Sequence, residues 1–189
     1  MTGHALISPS ELFRLMGSEP VVLIDTRDPA QFADGHIPGA VNLRDVFTFL
    51  STASTGGLTG LGEKFADAFG KAGLSGAETA VLYEQSMESG FGQSCRGYVL
   101  LRHLGYPKVR VLHGGFAAWR ATGLPMTADA VTPEAKSFPR AKAATSLLVD
   151  LEAMKAAVAD RRKGNHGVLA PGSKFIDLDL GACSGAGVH

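Results

Sequence analysis

Residues 80–101, AVLYEQSMESGFGQSCRGYVLL, run from an apolar stretch through a Gly- and Ser-rich segment into helical spacing. A strand that turns through such a loop into a helix gathers unpaired N–H groups and the positive end of the helix dipole at one point. That environment favours thiolate over thiol and holds anions. The residue at the strand end is Glu84, a carboxylate, and the thiol of Cys95 comes eleven positions later. Glu84 reads either as a catalytic base or as a carboxylate satisfied by loop amides at a helix N-terminus. The second reading is preferred.

The remaining reactive types divide in the same way. Cys95, in the first helical turn, reads as a relocated nucleophile or as a small residue packed beside the loop, and packing is the default. Arg96 starts the helix and could bind an anionic group or brace the loop, and Gly90 and Gly92 are read with it as loop and anion-binding positions. Asp25 and Arg27, two apart at the end of an apolar run, face one side and can pair. His36 lies in DGHIPGA, a turn punctuated by Pro38 and Gly39, and reads as a hydrogen-bonded structural imidazole rather than an acid–base group. Trp119, at helical spacing from Phe116, reads as core. Cys183 reads as an incidental thiol. The two cysteines have neither disulfide-framework nor zinc-ligand spacing, so no metal and no cofactor is expected.

The elements that must position these residues alternate. SPSELFRLMG is a helix with Ser8 as cap, Pro9 in the first turn and Glu11 completing a capping box. VVLID, 21–25, is a strand covered on both faces. DPAQFADGH is a short helix stopped at Gly35, and AVNL is a strand. Residues 58–73 carry a helical apolar face at 61, 65, 68 and 69. TAVLY (79–83) and VRVL (109–112) are strands, while SCRGYVLLRHLGY and GGFAAWRATG are helices. Such alternation predicts an α/β fold, a parallel sheet with helices on both faces.

Residues 126–146 contain prolines and no sustained period, and read as a linker between a domain at 1–125 and a partial repeat at 147–189. In the latter, LLVDLEAMKAAVADRRKGN and KFIDLDL repeat the helix-then-strand order of residues 8–25. Its apolar stripe predicts packing on the first domain, pairing with another chain in self-association, or mobility. GACSGAGVH is expected to lack regular structure, and proteolysis is expected to begin in 126–146 or after 164.

Eighteen basic and eighteen acidic residues cancel among 189, which gives no electrostatic case for nucleic acid or an acidic membrane. Hydrophobic residues make up 45%, enough for a buried core. No stretch is apolar for long enough to span a bilayer, and MTGHALISPSEL lacks a basic segment followed by an apolar one, so a cytoplasmic location is expected.

Two stretches point to a family. VVLIDTRDPAQFADGHIPGAVNL, 21–43, resembles the opening signature of rhodanese-like sulfurtransferases, and VRVLHGGFAAWRATGLP, 109–125, resembles their closing one. The resemblance implies sulfane-sulfur transfer through a cysteine persulfide, with small sulfur anions as ligands. It places the nucleophilic Cys at position 84, where this chain has Glu84, and assigns Arg96 to the end of the loop. Two-domain thiosulfate and 3-mercaptopyruvate sulfurtransferases commonly carry an acid there in their N-terminal, non-catalytic domain. The resemblance therefore implies an inactive N-terminal unit. The alternatives are a non-catalytic binding or regulatory module, and an enzyme using Cys95.

Overall fold

The computed structural model describes residues 5–44, 55–86, 88, 92–139 and 155–156. Among the residues described up to 139 the elements are β1 (Leu6–Ile7), α1 (Pro9–Met16), β2 (Val21–Asp25), α2 (Pro29–Asp34), β3 (Ala40–Asn42), α3 (Thr55–Lys71), β4 (Thr79–Tyr83), α4 (Gln93–His103), β5 (Val109–Leu112) and α5 (Gly115–Ala121). Capping chemistry explains the early boundaries. The Ser8 side chain accepts from the Glu11 amide while the Glu11 carboxylate accepts from the Ser8 amide, and Pro9 follows the cap. Asp28 caps α2 through the Ala30 amide, and Gly35 ends it.

The strands form one parallel sheet in the order β1-β5-β4-β2-β3. All C-terminal strand ends therefore share one edge. The chain steps outward from β2 to β3, then crosses back to β4 and on to β5. The order thus reverses between β2 and β4, the place where open α/β sheets bind ligands.

Alternation along each strand builds two cores. Ile24, Ala80 and Leu82 pack with Phe65 and Phe69 of α3 and Leu101 of α4. Leu23, Val81 and Tyr83 pack with Leu12 of α1, Phe32 of α2, and Phe116 and Trp119 of α5. Helices thus cover both faces, as the apolar strand runs require. Leu82 is fully buried, and truncating such a residue to Ala costs about 2–5 kcal/mol.

Three details differ from the sequence reading. The two-residue β1, paired with Val111 and Leu112, is an additional strand. Helix α3 begins at Thr55 rather than at 58 and ends at Lys71. The segment read as a linker is extended as its prolines dictate, but from 126 to 139 it is no free tether. The Thr127 amide donates to the His36 carbonyl, the Lys136 amide donates to Gly70, and Phe138 is buried. The backbone of this segment is tied to the domain at Thr127 and Lys136. Residues 140–154 and 157–189, including Cys183 and most of the proposed repeat, lie outside the described residues. Lys155 and Ala156 are helical and exposed.

Candidate functional site

The site lies where β4 turns into α4. Glu84 follows the last residue of β4 and is 1% exposed. Helix α4 has no side-chain cap of its own: Gly92 at the N-cap adopts a left-handed conformation and offers no oxygen. Glu84 supplies the cap from outside the helix. Its carboxylate accepts the Gln93 amide at 3.1 Å and the Ser94 hydroxyl at 2.8 Å. Anionic oxygen at a helix N-terminus is stabilised by the orphan amides and the dipole. Burial nevertheless pushes the carboxyl above its ordinary range, and these hydrogen bonds offset only part of that cost.

A second network holds the base of the loop. Arg27 is 5% exposed and Asp25 0%. The guanidinium forks onto the Asp25 carboxylate, with Nη2 at 2.6 Å and Nε at 3.0 Å from Oδ2. Its Nη1 donates to Gln85 Oε1 at 3.1 Å, and Nη2 donates to the Gly35 carbonyl at 2.8 Å. The guanidinium also stacks 3.9 Å above the Phe116 ring. The pair is thus compensated on every side, as a buried ion pair requires. Burial, followed by the nearby Asp25 charge, pushes the Tyr83 phenol well above its ordinary range, so it stays neutral.

The start of α5 closes the third side. Phe116 N–H donates to the Glu84 carbonyl at 2.8 Å and Ala117 N–H to the Gln85 carbonyl at 2.9 Å. The approach depends on Gly115, at φ +63, where an added Cβ would fall 2.5 Å from the Glu84 oxygen.

The other candidates scatter. Cys95 is half-buried in the first turn of α4, and Arg96, next along, is exposed. His36 is fully buried, stacked on Phe32 at 3.7 Å, with Nδ1 2.8 Å from the Phe32 carbonyl oxygen and Nε2 3.2 Å from that of Asp129. Both ring nitrogens thus face backbone carbonyls. Gly39, at φ +81, sits in the turn before β3. Trp119 is fully buried. Gly90 lies outside the described residues. Among the described residues no group of three or more His, Cys, Asp or Glu side chains could hold a metal ion, and no helix is long and apolar enough to cross a membrane.

A carboxylate at the helix N-terminus beside a strand-end Asp–Arg pair can now be set against known proteins. The sequence profile described as Rhodanese-like domain matches residues 8–122. This chain belongs to the rhodanese-like family. The rhodanese-like unit is 29% identical over 128 residues to the thiosulfate sulfurtransferase of Azotobacter vinelandii, covering 68% of this chain and 46% of that protein. To the thiosulfate sulfurtransferase GlpE of Pseudomonas putida it is 30% identical over 122 residues, covering 65% of this chain and 90% of that protein. The structure of SseA from Escherichia coli, described with the 3-mercaptopyruvate sulfotransferases, matches with a TM-score of 0.68 at 22% identity, covering 84% of this chain and 63% of that one. That likeness is one of fold. The chain spans about half the length of several of the thiosulfate sulfurtransferases it matches.

Three parts of the site were not singled out from sequence: Ser94, Gln85 and Gly115. Ser94 and Gln85 are polar residues in a polar loop, with no local signal of their partners. The Gly114–Gly115 pair was noted only as a helix start, although a paired glycine facing a strand end was a sign of close backbone approach.

Proposed function

We propose that this rhodanese-like unit belongs to the thiosulfate/3-mercaptopyruvate sulfurtransferase lineage and is itself non-catalytic, its nucleophile position held by Glu84. The observation that carries the reading is the buried Glu84 carboxylate seated on the Gln93 amide and the Ser94 hydroxyl. A carboxylate cannot form a persulfide, so the covalent sulfur intermediate has no seat there. Two donors at the end of the loop, the Gln93 amide and the Ser94 hydroxyl, are already taken by this carboxylate. The half-length match to several thiosulfate sulfurtransferases supports a role as one unit of a two-unit enzyme, and Glu84 in the nucleophile's place favours the N-terminal one.

A second reading has one observation in its favour. The match covers 90% of GlpE, so a unit of this size also occurs as nearly a whole protein. On that reading the unit is a free-standing binding or regulatory module. The assay for both is sulfur transfer from thiosulfate to cyanide, and from 3-mercaptopyruvate to a thiol, with intact mass read for a persulfide. No turnover and no sulfur adduct are expected. Turnover that vanishes in Cys95→Ser would overturn the proposal and make Cys95 the nucleophile.

A further inference from the structure

Residues 125–139 lie beyond the stretch matched by the family profile and have almost no regular structure, yet they are fastened at both ends. At the near end the Trp119 indole N–H donates to the Pro125 carbonyl at 2.9 Å. His36 and Thr127 exchange backbone hydrogen bonds at 2.8 and 3.0 Å, an antiparallel bridge outside the sheet. These anchors belong to α5 and to the turn after α2, on one face of the sheet.

At the far end the anchors change face. The Lys136 amide donates to the Gly70 carbonyl at 2.8 Å, at the end of α3. A Cβ on Gly70 would fall 2.6 Å from the Lys136 oxygen, so the chain seats there only because no side chain intervenes. Phe138 packs its ring 5.9 Å from Phe69 and 5.4 Å from Tyr106. Lys136 Nζ reaches the Glu78 carboxylate at 2.7 Å, just before β4. Glu78 is 4% exposed and also accepts from the Ser75 amide, the Ser75 hydroxyl and the Tyr106 hydroxyl. One half-exposed lysine thus joins a buried, preorganised carboxylate to a chain that has no helix or strand of its own.

We propose that residues 125–139 are a strap clamping the two helix layers together around the N-terminal ends of β2 and β4, with Lys136–Glu78 as a latch whose opening frees the far half of the strap alone. The near half keeps its backbone bridge to His36 and its tie to Trp119, so the latch sets whether residues 133–139 stay seated on the domain or loosen as an arm. Nothing in this device depends on the sulfurtransferase reading.

Hydrogen exchange by mass spectrometry on the full chain tests it. In the wild type, peptides spanning 127–139 are expected to exchange slowly. Glu78→Gln and Lys136→Met should each raise exchange at 133–139 by about tenfold or more, as for other locally opening segments. Residues 79–83 and the bridge at Thr127 should be unchanged. Tryptic cleavage after Lys136 should be slow in the wild type and faster in Glu78→Gln. Lys136→Met leaves Glu78 buried without its cation, so the double variant Glu78→Gln, Lys136→Met guards against general unfolding and should show the same local loosening. Wild-type exchange at 127–139 at the rate of unstructured chain would overturn the strap. An unchanged rate at 133–139 in the double variant, or an equal rise across β4, would overturn the latch.

Discussion

Ser94 gives its hydroxyl to the Glu84 carboxylate at 2.8 Å, and both groups are buried. The bond spans a strand end and a helix start, so it fixes the entry angle of α4. A hydrogen bond to a charged group contributes about 1.5–3 kcal/mol. Ser94→Ala should therefore lower the unfolding free energy by about that amount, whereas a surface change such as Arg96→Ala should alter it by less than about 0.5 kcal/mol. Urea denaturation at pH 7 compares the two. Equal losses would mean that Glu84 caps the helix without Ser94.

Glu84 also makes stability depend on pH, in an unusual direction for a carboxylate. Burial raises its value in the folded chain above the ordinary 4.5. The folded state therefore binds the proton more readily than the unfolded state just above that pH. The contribution is fully present below pH 4.5 and is lost as pH rises through the folded value. Glu84→Gln carries no such titration. Its stability relative to wild type should rise as pH climbs above 4.5, and a difference that stays constant from below 4.5 upward would refute the raised value.

How much of this was legible beforehand depends on whether a feature is periodic or paired. Strands at 21–25, 79–83 and 109–112 announce themselves because continuous apolar runs suit a sheet covered on both faces. The capping box at Ser8 and Glu11 is local and so is readable. Strand β1 is invisible because two residues, Leu6 and Ile7, make no pattern, and their partners lie over a hundred positions away at Val111 and Leu112. The strap was read as a linker for a related reason. Several of its anchors are backbone groups, at Thr127 and Lys136, and these leave no mark on residue type. The strand–loop–helix pattern puts Glu84 at a helix N-terminus, but only loop closure brings it to Ser94.

Gly115 should be the least replaceable glycine near the site. Both Gly115, at φ +63, and Gly123, at φ +69, are left-handed, but a Cβ on Gly123 meets nothing within 4 Å. A Cβ on Gly115 would fall 2.5 Å from the Glu84 carbonyl oxygen. Gly123→Ala should cost about 1 kcal/mol, the conformational term alone. Gly115→Ala adds a backbone clash and should cost about 3 kcal/mol or more. Thermal denaturation of the two variants separates the terms, and similar shifts would show that the α5 contact yields readily.

Arg27 and Asp25 form the most deeply buried ion pair among the described residues, with side chains 3% and 0% exposed. Removing one partner leaves the other charged in a dry site, at a cost of about 3–5 kcal/mol. Arg27→Met should show that loss. Arg27→Lys should recover little of it, because an ammonium cannot fork onto Asp25 while also reaching Gln85 and Gly35. Guanidinium-free denaturation in urea is the suitable measurement. Full recovery in Arg27→Lys would reduce the network to a simple charge pair.

The latch at Glu78 should fail in acid. Burial raises its carboxyl, but the bonds from Lys136 and Ser75 outweigh that, and the folded value falls from 4.5 to about 2. A lowered value means that the unfolded chain takes up the proton first, so stability is fully present above pH 4.5 and is lost as pH falls toward 2. The loss should amount to about 2 kcal/mol, below the full linkage value because Lys136 stands partly in water. Glu84 works the opposite way over a higher window, so the two can be told apart by pH as well as by mutation. Urea midpoints at pH 5, 4 and 3 should fall more steeply for the wild type than for Glu78→Gln, while Glu84→Gln should follow the wild-type slope below pH 4. If wild type and Glu78→Gln lose stability in parallel through this range, the carboxylate is not held in its ionised form by the strap, and Lys136 contributes nothing to the closed state.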